Sequence, residues 1–89
     1  MRAVITVIGK DTVGILAKVT GICAEMNVNV MDVSQTIMQD LFAMTMLADI
    51  SGLKGDFGVF SDTLKGLGET LNLQIHVMHE DIFNSMHRV

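Results

Sequence analysis

A chain of 89 residues has room for one domain and no second core, and at this size folding buries only about three-fifths to two-thirds of the surface. Hydrophobic residues make up 49% and mean hydropathy is +0.46, yet no apolar run approaches the roughly 20 residues of a membrane helix. The net charge of −4 is dispersed, with no basic patch and no Trp or Tyr, which argues against nucleic-acid binding by this chain alone. A lone cysteine, Cys23, excludes an internal disulfide and any multi-cysteine metal site. Residues 1–9 lack the h-region and cleavage site of a secretory signal. The expectation is a soluble cytoplasmic protein that reserves apolar surface for a second subunit or partner.

Residues 3–8 form a continuous apolar, β-branched run suited to a central strand, which Gly9 should end. From Val13 onward, Ile15, Leu16, Val19, Ile22, Cys23 and Met26 recur at the three-and-four spacing of an amphipathic helix. Cys23 falls in that apolar stripe and reads as a small buried hydrophobe. Gly21 is costly inside a helix and suggests a close backbone approach. Asn27 and Asn29 should stop the helix. Residues 28–38 read as a strand with Met31, Val33 and Ile37 on one face and Asp32, Ser34 and Thr36 on the other. Gln39 and Asp40 supply a two-residue hairpin. Phe42, Met44, Met46, Ala48 and Ile50 then alternate with Ala43, Thr45, Leu47 and Asp49, the cleanest period-two signal in the chain.

After a loop at 51–55, Asp56 can cap a second helix with the stripe Phe57, Phe60, Leu64, Leu67 and Leu71. Gly66 and Gly68 weaken it and suggest contact with a neighbour; Asn72 ends it. Leu73, Ile75 and Val77 alternate with Gln74, His76 and Met78 as a last strand. In residues 80–89, Ile82, Phe83, Met86 and Val89 are helically spaced, with acids first and bases last as the helix dipole prefers. The order strand, helix, strand, strand, helix, strand implies an α+β, ferredoxin-like βαββαβ sandwich. Its four-stranded antiparallel sheet carries both helices on one face and is followed by a short C-terminal helix. The expected division is a domain at 1–79 and a helical tail at 80–89.

That fold hosts many functions, so the site must decide. Residues 9–14 contain no Cys-x-x-Cys pair for a metal carrier. The sheet lacks the aromatics of an RNA-recognition domain, and Arg2 and Arg88 are too few for an arginine phosphate cradle. What remains is the strand-to-helix corner at residues 8–16, where free backbone N–H groups face outward. Asp11 or Thr12 can cap them, and Gly14 permits close approach.

The segment Asp11-x-x-Gly14-Ile15-Leu16, followed by Asn27-Val28-Asn29-Val30 and Asp32-Val33-Ser34-Gln35-Thr36, resembles the ACT domain. This is the small-molecule-sensing module of many enzymes of amino-acid metabolism. The likeness covers almost the whole chain and is nearest to short stand-alone bacterial proteins akin to the glycine-cleavage-repressor group. It implies a side-by-side homodimer that binds an amino acid at its seam, through the first strand–helix loop and the start of the second strand. Carried over, the ligand-binding residues are Asp11, Thr12, Val13, Gly14, Ile15, Asn29 and Val30. Many members have Pro before the loop Gly, where this chain has Val13. No catalytic role and no cofactor is implied.

The chemistry is coherent with that carry-over. N–H groups of residues 13–15 suit a carboxylate, Asp11 an ammonium, and the Asn29 amide both. The bland alternative is that Asp11 is only a helix cap and Asn29 only a turn residue. His76, His79 and His87 do not read as a metal site, because His76 and His79 point to opposite faces of a strand. Met26, Met31, Met44 and Met46 fall on core-facing positions, while Met78, Met86 and Phe83 leave an adaptable apolar surface. The other face of the sheet, with Asp32, Ser34, Thr36, Thr45 and Gln74, is polar enough to stay wet. Two functions follow: an amino-acid-binding regulatory homodimer read by another protein in trans, or a protein-interaction module with no small ligand that works through its edge strand or C-terminal helix.

Overall fold

The structure is a computed structural model that describes residues 1–10 and 14–86. In chain order it comprises β1 (Arg2–Lys10), α1 (Ile15–Glu25), β2 (Asn29–Met38), β3 (Leu41–Asp49), α2 (Phe57–Leu71), β4 (Leu73–His79) and α3 (Glu80–Met86). The strands form one antiparallel sheet in the order β2-β3-β1-β4. Ala3, Ile5 and Val7 of β1, Phe42, Met44, Met46 and Ala48 of β3 and Ile75 of β4 join Ile15, Val19 and Cys23 of α1 and Phe60 and Leu64 of α2 in a single core. Both helices therefore cover the same face of the sheet, as the alternation of β1 and β3 required.

Asn27 makes the exit from α1. It sits at φ +60°, its N–H donates to the Ala24 carbonyl at 3.2 Å, and the Val28 N–H donates to the Cys23 carbonyl at 2.7 Å. These two bonds are a Schellman closure. The Asn27 Nδ2 also donates to the Gly52 carbonyl at 2.8 Å, tying the helix end to the loop after β3. Asn72 ends α2 in the same left-handed region, at φ +58°. Asp56 stands at the N-cap position of α2 but makes no side-chain cap bond.

Four expectations change. β1 does not stop at Gly9 but runs on to Lys10, with Gly9 paired to Phe42 and Leu73. A Cβ at Gly9 would meet Leu73 Cδ2 at 2.5 Å, so glycine admits the start of β4 there. Met31 is not a core residue: the β2–β3 register shifts between Val30 and Asp32, and Met31 is 51% exposed. The bulge lets Val30 and Val33, three apart, both pack on the core. Gly21 and Gly66 meet open space, whereas Gly68 is pressed against the Leu73 carbonyl oxygen and Ile75. Finally, the face away from the helices is less polar than expected. Register puts Val4, Ile8, Leu47 and Met78 on it beside the hydroxyl and amide side chains, and Val4 is buried. α3 packs on β1 and β4.

Candidate functional site

Asp11, Thr12 and Val13 lie outside the described residues, so the corner is seen from its two flanks. Gly14 is the N-cap of α1, at φ +83° and exposed. A Cβ there would meet nothing within 4 Å. Its glycine is required by the left-handed backbone and not by a close neighbour. The first bond of the helix is from the Lys18 N–H to the Gly14 carbonyl at 3.0 Å. The N–H groups of Ile15, Leu16 and Ala17 thus have no acceptor within the helix, and no side chain among the described residues caps them. The Ile15 side chain is buried in the core, so its backbone alone is available to a ligand.

Asn29 and Val30 open β2. Asn29 is exposed, and Val30 is half-buried against the core. The sheet register sets their relation to the corner: Asn29 pairs with Asp49, which pairs with Arg2, while Lys10 pairs with Leu41, which pairs with Met38. The eight steps from Arg2 to Lys10 span about 27 Å. Within one chain, Asn29 and the Lys10 end of β1 therefore stand at opposite ends of the sheet.

The Asn29 end is rich in charge, which no sequence spacing revealed. Arg2 Nε and Nη2 donate to Glu80 Oε1 at 3.0 and 2.9 Å, and Nη2 lies 2.8 Å from Oε2. Asp49 Oδ1 accepts from the Ser51 N–H at 2.9 Å. That bond and a second from the Ser51 hydroxyl hold the Asp49 carboxyl below its ordinary range. Arg2, Glu80, Asp81, His79 and Met1 border an open cleft of about 380 Å³. His79 stacks on Phe57, ring centroids 4.2 Å apart and 18° from coplanar, on the side facing the helices. His76 lies on the other face, exposed. No group of three or more metal-ligating side chains occurs among the described residues, and no described helix is long and apolar enough to cross a membrane.

Comparison with known proteins bears on this geometry. A sequence model described as the ACT domain matches residues 2–78. A UPF0237 protein of Listeria innocua is 52% identical over 89 residues, the full length of both chains. Among solved structures, an ACT domain protein from Streptococcus pneumoniae superimposes with a TM-score of 0.80 at 40% identity, covering 93% of each chain. A putative glycine cleavage system transcriptional repressor shares the fold, with a TM-score of 0.69 at 24% identity over 85% of this chain and 43% of its own.

Proposed function

The chain belongs to the ACT-domain family, and on that premise we propose that it is a non-catalytic regulatory module, a cytoplasmic homodimer that binds an amino acid at its seam and is read by another protein in trans. The observation that carries the reading is the separation of the two candidate half-sites by the length of β1. A single chain cannot close such a site, but two chains can. β2 is an edge strand of ten residues, without Pro or Lys. Antiparallel pairing of β2 with a second β2 turns one protomer end for end. Asn29 then comes level with the loop end of its partner, three strand spacings or about 14 Å away across the sheet. A bound zwitterion occupies that gap, its carboxylate taken by the helix N–H groups, its ammonium by Asp11 and either group by the Asn29 amide. On this reading residues 1–79 are the sensing domain and 80–89 an appended tail.

A thermal-shift screen against the standard amino acids tests the proposal. A ligand at about 100 times its dissociation constant adds roughly 2.7 kcal/mol, a shift of many degrees for a chain this size. Asn29→Ala should abolish that shift, and sedimentation should show a dimer. A monomer, or binding that survives Asn29→Ala, would sink it. A flat screen on a good dimer favours the interaction module, expected to work through Phe83 and Met86. Phe83 is half-buried, so Met86 with Ile82, 67% and 52% exposed on α3, is the apolar surface.

A further inference from the structure

We propose that the outer edge of β4 takes an extended segment of a partner protein as a fifth strand. β4 ends the sheet, and no described strand lies beyond it. Its backbone groups on that side have no ladder partner, and natural sheets defend such edges with charge, proline or a bulge. β4, Leu-Gln-Ile-His-Val-Met-His over residues 73–79, carries no formal charge, no proline and an unbroken register with β1. An edge with none of these defences is open to pairing.

The space beside that edge is shaped for a strand. A groove of about 260 Å³ runs along residues 73–76, and Lys65 and Glu69 of α2 form its far wall. Both side chains are exposed, and neither makes an ion pair among the described residues. They stand one helical turn apart, about 6 Å, close to the 6.6–6.8 Å that separates every second residue of a strand. A docked segment whose helix-side residues are one basic and one acidic, two positions apart, meets both wall charges with opposite sign. Backbone pairing supplies affinity, and the two opposite charges, in the order set by the direction of the docked strand, supply selectivity. If β2 carries the homodimer, the two β4 edges lie at the outer ends of one eight-stranded sheet. Each then accepts one strand, so the assembly closes instead of polymerising.

The test uses the wild-type protein and capped octapeptides of alternating β-branched residues with Lys and Glu two positions apart, read by residue-resolved amide exchange. In the free protein alternate amides of residues 73–79 should exchange rapidly. The matched peptide should slow those amides at least tenfold, and the same peptide N-methylated on one edge should not. Exchanging the wall charges, Lys65→Glu with Glu69→Lys, should reverse any preference between the peptide and a version with its charges in the opposite order. Protection confined to residues 29–38, or none with peptide at millimolar concentration, would overturn the proposal. So would β4 protection that rises with protein concentration alone, since the occupant would then be a second copy. None of these outcomes depends on whether an amino acid binds at the seam.

Discussion

Glycine and asparagine carry the turns of this chain, but for different reasons at different positions. Gly14 is needed for its dihedral: at φ +83° any Cβ is strained although the space around it is empty. Gly68 is needed for its volume, since a Cβ would stand 2.8 Å from the Leu73 carbonyl oxygen. Gly21 and Gly66 satisfy neither condition. Gly14→Ala should therefore cost about 1 kcal/mol or more and Gly68→Ala more still, whereas Gly21→Ala and Gly66→Ala should each add about 0.5–1 kcal/mol. Urea melts of the four variants check the signs. Sequence alone read all four glycines as places of close approach, which holds for Gly68 only, because it could not separate backbone dihedral from steric room. Cys23 carries a pH signature of the same local kind. Burial pushes its thiol above the ordinary value of 9.0, so the neutral form is the one the core accepts. The folded-state value exceeds the unfolded one; the stability it contributes is complete below pH 9.0 and is lost as pH rises through the raised value. Cys23→Ala should flatten the alkaline limb of a stability–pH curve, and thiol reagents should react with the native protein only as fast as it opens.

At the scale of elements, period explains both what was legible and what was not. β3 alternates without interruption, and its buried face is the one the alternation chose. The helices were legible because their stripes recur at three and four, and Asn27 and Asn72 marked their ends by tolerating the left-handed region. β2 was misphased at Met31 because one bulged residue shifts the face of everything before it, and a bulge leaves no compositional mark. α3 was legible as a helix, but its anchoring by Arg2 was not, because that pair joins residues 78 apart. The Asn27 closure yields a prediction at this scale. Asn27→Gly keeps the left-handed backbone and loses only the side-chain bond to the Gly52 carbonyl. Asn27→Ala loses both, and should be the less stable variant by about 1 kcal/mol in thermal or urea unfolding.

For the whole molecule, the informative fact is a distance that no local pattern encodes. Lys10 and Asn29 are 19 residues apart in sequence, yet the sheet sets them at opposite ends. A motif carried over from a family names candidate residues; only the register sets the Lys10 end of β1 and Asn29 at opposite ends of one sheet. If two chains complete each site, subunit mixing has a definite outcome. Asp11→Ala and Asn29→Ala homodimers should each bind nothing, because every site in them lacks one half. In a mixed dimer, one site receives both defects and the other receives none. Random reassortment makes half of the dimers mixed, so about one quarter of all sites should be restored. Titrating the mixture with the amino acid found by thermal shift reads that fraction directly as the binding stoichiometry. A site built within one chain gives zero on mixing, and two independent contributions to one pocket give residual binding in both parents. Only a seam shared between protomers turns two inactive proteins into a partly active one.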